Sequence, residues 1–408
     1  MCIRDSTMTP TDNQPPTEAT AETAVSPTAN RRRLLALLTA LLLLFAAILG
    51  LFIRYINRPA PLPELLIPES ELVYPPHYLF SIYGLDQPVG VTLSPDGTRI
   101  YAAESGGDRL VRIFNRAGEE IDAFAPPRTR PGERAPIYLA MDSAEHLYVT
   151  DRLQHAVFVY DRDGRYLDAL IAPDLSISEY VAQHMGGLQP NMTITYNNFY
   201  SNIYVQIPGS NEQTLPTPVF ADPWSPLGIR INAQDKAFIT DAKTQTNQVH
   251  EFSLPDGNDL IDWHQVNATA VPFGATGEAN GELLYPNSAV ADSRGRIFVS
   301  DGNNGRISVW DAQGNFLFNF GGGNGEESVS LPRGMAINGR DHLYVVDAVG
   351  QNIKVYDVSA DEPTFLYTFG DWGLDDGLFN YPNDIAIDDS GRIYIADREN
   401  HRIQVWSY

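Results

Sequence analysis

The sequence predicts an all-β protein: a six-bladed β-propeller closed by an N-terminal strand and preceded by a single transmembrane helix. Three observations predict it. One short motif recurs six times within residues 77–408, each copy alternates apolar and polar residues between Asp/Gly-rich turns, and one charge-free apolar run stands near the start.

Residues 1–30 are rich in Thr, Pro, Ala and Gln and hold almost no large apolar side chain. Such a stretch cannot bury enough surface to offset chain entropy, so a disordered cytoplasmic tail is expected there. The opening MCIRDST is unlike the rest of the tail, and two starts are open, Met1 and Met8. Leu34 to Ile53 is 20 residues without a charge. At ~1.5 Å per residue it matches the hydrocarbon thickness of a bilayer. The run is longer than a signal-peptide core and lacks an A-x-A exit, so residues 31–56 read as a retained transmembrane anchor. Arg31, Arg32 and Arg33 outweigh Arg54 and Arg58, which keeps the N-terminus cytoplasmic and the remainder extracytoplasmic. Residues 57–76 carry Pro59, Pro61, Pro63, Pro68, Pro75 and Pro76 and read as a semi-extended linker.

The repeat occupies residues 77–408. YPNDIAIDDSGRIYIAD has five earlier relatives, and its proline recurs as Pro88, Pro136, Pro226, Pro286, Pro332 and Pro382. An acid stands after each at 15 residues, or 16 in the first copy: Glu104, Asp151, Asp241, Asp301, Asp347 and Asp397. An aromatic residue closes the next strand each time: Phe114, Tyr160, Phe252, Trp310, Tyr356 and Trp406. Each unit reads as four strands. The last copy has no fourth strand after Trp406, and YLFSIYG, Tyr78 to Gly84, has the form of one; it is expected to pair there and close the ring. Pro136 to Pro226 spans 90 residues, against 46 to 60 for the other intervals, so about 174–222 is an insertion. Ser176 and Glu179 mark a helix start, Gly186 its stop, and TITYNNFYSNIYVQIPG an aromatic hairpin. Placed between units, the insertion is expected to lean over the channel mouth and roof it.

The segments NHRIQVW and NGRISVW, with the glycine-spaced connector FGATGEANGELLYP, resemble the NHL-repeat family. The resemblance implies a six-bladed propeller used chiefly as a binding platform, with enzymes among its relatives. RNA-binding members use a basic face, but residues 59–408 hold 22 Lys and Arg against 47 Asp and Glu. The chain's net charge is −23, and nucleic acid is excluded as a partner. Cys2 is the single cysteine, so no intramolecular disulfide and no cysteine zinc module can form. The family's amidating lyases hold zinc through channel histidines, and none of the eight His falls on an inner strand of the repeat.

Two sets of candidate residues remain. The acid ring (Glu104, Asp151, Asp241, Asp301, Asp347, Asp397) reads as structural, each acid bonding loop N–H groups, because a ligand rarely needs six copies. Departures from the repeat are more informative. Small residues suit the crowded centre, yet Tyr138 and Asp384 stand where other copies have Gly or Ser, and Arg230 places a charge on an inner strand. Asn287, Arg333 and Asn383, each after its proline, rim the same mouth. Two readings stand for these residues, a water-filled polar network or a site for a small polar ligand or divalent metal. No cofactor is specified. The function expected is a membrane-anchored, extracytoplasmic module binding a protein or a small polar ligand. The alternative is a metal-assisted hydrolase or lyase at the channel mouth, with its catalytic residues unassigned; there is no G-x-S-x-G elbow.

Overall fold

The computed structural model describes residues 36–50, 74–243, 245–254 and 272–408. The chain divides into two units, residues 1–63 and 64–408. In the first, residues 36–50 are helical. Among the described residues no helix is long and apolar enough to cross a membrane. The expected transmembrane helix therefore has no support there; the ends of Leu34–Ile53, the tail 1–30 and most of the linker 57–76 lie outside the described residues.

The second unit is an all-β, propeller-like fold. Six sheets carry the repeat, and the first strand of each begins on the repeat proline: Pro88–Leu93, Pro136–Met141, Pro226–Ile231, Pro286–Ala291, Pro332–Ile337 and Pro382–Ile387. These first strands touch one another in cyclic order, the sixth against the first. Strands two and three are added antiparallel, so each sheet runs outward from a shared axis. Period-two alternation then sends one face of every sheet against each neighbour. Apolar clusters fill the gaps between successive sheets. Val91, Ile100 and Phe114 of the first sheet, for example, pack with Tyr394, Ile403 and Val405 of the sixth. Each such side chain, fully buried, contributes about 1.5–3 kcal/mol.

The proline–acid spacing has a geometric cause. In all six sheets the proline lies directly across from the acid: Pro88 opposite Glu104, Pro136 opposite Asp151, Pro226 opposite Asp241, Pro286 opposite Asp301, Pro332 opposite Asp347 and Pro382 opposite Asp397. Proline offers no N–H to this pair. The ladder breaks into a bulge just after it in every copy, which re-aims the following side chains. The acid turns instead to the N–H groups just before the proline. Glu104 accepts from Asp86 N at 2.9 Å, Asp151 from Ala135 N at 2.9 Å, Asp241 from Ser225 N at 3.0 Å, Asp301 from Leu284 N at 2.6 Å, Asp347 from Leu331 N at 3.0 Å and Asp397 from Asn380 N at 2.7 Å. Each acid thus ties the entry of its own sheet. Three also hold an arginine from strand three: Arg112 on Glu104, Arg306 on Asp301 and Arg402 on Asp397. Asp151 lacks such a partner, and burial lifts its carboxyl to about 6 against the pull of the Gln154, Ala135 and Leu153 N–H groups.

His77–Ile82 pairs antiparallel with Arg402–Ser407 and forms the outer strand of the sixth sheet. In the third sheet the fourth-strand position is marked by Phe273, bridged to Val249; residues 255–271 lie outside the described residues. In the insertion, Leu175–Ser176 extends the second sheet, and helix Ile177–Met185 starts where Ser176 Oγ accepts from Glu179 N at 3.2 Å. It ends at Gly186, whose φ of 76° suits a residue without Cβ. The expected hairpin, Thr193–Asn197 with Asn202–Gln206, gains a third strand, Gln213–Pro216, that its polar sequence did not announce.

Candidate functional site

The axis is built from the residues two past each proline. Gly90, Gly228 and Gly334 let adjacent inner strands approach closely. A Cβ on Gly90 would lie 2.1 Å from the Ile137 carbonyl oxygen, and one on Gly228 2.0 Å from that of Asn287. Tyr138 and Asp384 occupy the same position in the second and sixth sheets and are fully buried. Arg230, on the third sheet, reaches across the axis. Its guanidinium pairs with Asp384 and donates to the Met335 carbonyl at 2.9 Å and the Ile385 carbonyl at 3.3 Å. Asp384 also accepts from Val91 N at 2.9 Å. Burial raises the Asp384 carboxyl, and Arg230 chiefly opposes that rise. The Tyr138 ring lies 5.8 Å from the Arg230 guanidinium, and its hydroxyl accepts from Asn383 at 3.4 Å. One tyrosine and one ion pair therefore plug the axis and bond the first, second, third, fifth and sixth sheets together.

At the proline end a cavity of about 890 Å³ opens among the loops. Every sheet contributes to its lining, including Ser105, Tyr138, Leu227, Asn287, Arg333 and Asn383. Arg333 is held by Asn287 Oδ1 at 2.8 Å and by the Tyr381 hydroxyl at 3.3 Å. Arg152 lies over the Tyr285 ring at 5.2 Å and donates to its hydroxyl. Arg398 lies 5.6 Å from the Tyr381 ring. Tyr285 and Tyr381 precede prolines in left-handed backbone, with φ of 60° and 54°. That conformation is uncommon for a bulky residue and marks positions the surroundings must hold.

Among the described residues no three His, Cys, Asp or Glu side chains come together as a metal site.

The NHL repeat pattern matches residues 379–406, the three strands of the sixth sheet that end the chain. Residues 379–406 thus form an NHL repeat. The chain is 25% identical over 137 residues to the protein brain tumor of Drosophila melanogaster, covering 33% of this chain and 12% of that protein. It is 33% identical over 76 residues to human NHL repeat-containing protein 3, covering 18% of this chain and 22% of that one. The chain thus spans under a quarter of either relative. Among solved structures, virginiamycin B lyase from Staphylococcus aureus aligns at 12% identity over 82% of this chain and 99% of that chain, with a TM-score of 0.48.

Within the propeller-like unit, the structure brings four of the six expected mouth residues to the cavity: Tyr138, Asn287, Arg333 and Asn383. Arg230 and Asp384 do not line it; they lie at the axis and are engaged with each other, so neither offers a ligand an open group. The insertion does not roof the cavity either, since none of its residues lines it. It docks on the flank of the second sheet instead. Tyr196 packs on Phe158 and donates to the Gln154 carbonyl at 3.1 Å, and Tyr200 donates to Glu133 at 2.6 Å. Tyr196, Ile203 and Val205 are buried against that flank. The residues missed at the mouth are Arg109, Arg152, His155, Tyr285 and Arg398. Two had a signal: the position after the ring acid is Ser, Ala or Gly in four copies of the repeat but arginine in Asp151-Arg152 and Asp397-Arg398.

Proposed function

We propose that this domain is a six-bladed propeller serving as a binding module, with its ligand seated in the proline-end mouth. The observation that carries the reading is the 890 Å³ cavity to which all six sheets contribute side chains. That volume lies in the range of small-molecule sites, and a mixed polar and apolar lining around a plugged axis suits a ligand held from several sides. The tyrosines in left-handed backbone beside it, Tyr285 and Tyr381, support the same reading, because such conformations gather at ligand clamps.

A thermal-shift screen of the full chain tests it. A ligand selective for the folded state raises the melting temperature. Leu153 lines the cavity and is 43% exposed, so Leu153→Trp adds bulk at the mouth without disturbing the core. The expected result is a ligand whose stabilisation the substitution removes. Ligands that all stabilise the variant as well as the parent would place binding elsewhere.

A further inference from the structure

The cavity lining holds four arginines, Arg109, Arg152, Arg333 and Arg398, with His155 and no carboxylate. This is unexpected in a chain with 51 Asp and Glu against 28 Lys and Arg. In the repeat itself Glu104, Asp301 and Asp397 neutralise Arg112, Arg306 and Arg402. Three of the four arginines at the mouth have no such acid among the described residues. Among the described residues the Arg109 side chain bonds only backbone carbonyls, those of Ser105, Pro131 and Arg134. Among the same residues the Arg152 side chain meets only the Tyr285 hydroxyl and ring. Arg333 meets an amide oxygen and a phenol. Arg398 alone has an acid near, Glu399 at 3.5 Å. Among the described residues the Nε of Arg333 is buried without a hydrogen-bond partner. An orphaned buried donor is costly, and guanidiniums gathered around one cavity repel each other.

We propose that the mouth is a receptor for a small organic anion carrying at least two carboxylate or phosphate groups. This rests on the reading of the mouth as the binding site. The guanidinium fork matches either oxyanion through paired N–H donors. Arginines standing on the first, second, fifth and sixth sheets can hold more than one anionic group of the same molecule. Val89, Ile137 and Leu227 offer the carbon skeleton apolar contact. The remaining surface sets the size limit. Residues 59–408 hold 47 acids against 22 bases, so an extended polyanion meets repulsion over most of its length. A molecule small enough to enter the mouth lies within a Debye length, roughly 8 Å, of the arginines and is screened from much of the rest.

Titration calorimetry on the full chain tests this with citrate and fructose 1,6-bisphosphate. Glucose serves as the uncharged control and a short single-stranded RNA as the polyanion. At least one of the two small anions should bind, more weakly as salt is raised, and RNA should bind less tightly. Arg152→Gln and Arg333→Gln should each weaken binding about tenfold or more while circular dichroism is unchanged. Arg152 touches only Tyr285, so Arg152→Gln keeps the test valid if Arg333→Gln is poorly folded. Binding of citrate alone or of the bisphosphate alone identifies the oxyanion. The proposal is overturned if neither anion binds at millimolar concentration, if binding survives both substitutions, or if RNA binds more tightly through the same arginines. A neutral ligand whose stabilisation is lost in Leu153→Trp would overturn the anion class and leave the mouth reading standing.

Discussion

Replacing Arg230 with Met should destabilise the folded domain by about 3–5 kcal/mol, because it strands the buried Asp384 carboxylate. Asp384 has no exposed surface, and apart from Arg230 the N–H of Val91 is its one cross-strand donor. The loss is larger than that of a surface pair because solvent cannot replace the missing charge. It should also depend on pH. Burial already raises this carboxyl and Arg230 opposes the rise, so the variant's folded pKa should climb further. A group raised above its unfolded value contributes stability that is fully present below the unfolded pKa and is lost as pH rises through the folded one. Arg230→Met should therefore be more stable relative to the parent near pH 4 than near pH 8. Replacing both partners with apolar residues should recover much of the loss, since the penalty belongs to the unpaired charge. Urea unfolding at two pH values measures all three. A single variant within about 1 kcal/mol of the parent at pH 8 would show that the pair is not sealed from water.

Deleting residues 77–85 should have an effect of the same order by a different route. His77–Ile82 covers the outer edge of Arg402–Ser407, and Ile82 and Leu85 are 2% and 5% exposed within the cluster joining the sixth sheet to the first. Tyr78 adds an edge contact to Trp406 at 6.0 Å. Loss of two buried aliphatic side chains alone costs about 3–6 kcal/mol. The deletion also bares a row of backbone donors and acceptors that other chains can pair with. The melting temperature should fall by roughly 10 °C or more. Light scattering on warming should begin earlier. A truncated chain that melts like the intact one would mean that the ring does not depend on this strand.

The scaffold was legible because it repeats. Six prolines and six acids at near-constant spacing report one local geometry, a bulged inner strand tied to its own second strand, and that geometry needs no partner from outside the unit. The plug was half legible. Tyr138, Arg230 and Asp384 stood out as departures from small residues, but which of them would meet was not readable. Arg230 and Asp384 are 154 residues apart on opposite sheets, and only closure of the ring faces them. Arg109, Arg152 and Arg398 were harder still. They sit between strands on segments whose path is set by tertiary packing, as with Arg109, clamped to the Arg134 carbonyl at 3.0 Å, and no period in the sequence specifies that path. The insertion was read correctly as a helix followed by strands, yet its docking side depended on where Phe158 and Tyr160 leave a surface to cover.

The most direct measurement is made at the mouth itself. Cys2 is the single cysteine, so a Cys2→Ser, Leu153→Cys chain can carry one environment-sensitive dye at a position lining the cavity. Titrated with citrate or fructose 1,6-bisphosphate, the dye should report a saturable change at the calorimetric affinity, and that change should vanish when Arg333→Gln is added. Saturable binding by calorimetry with no response of the dye, or a response that Arg333→Gln leaves intact, would contradict a mouth that binds its ligand through these arginines.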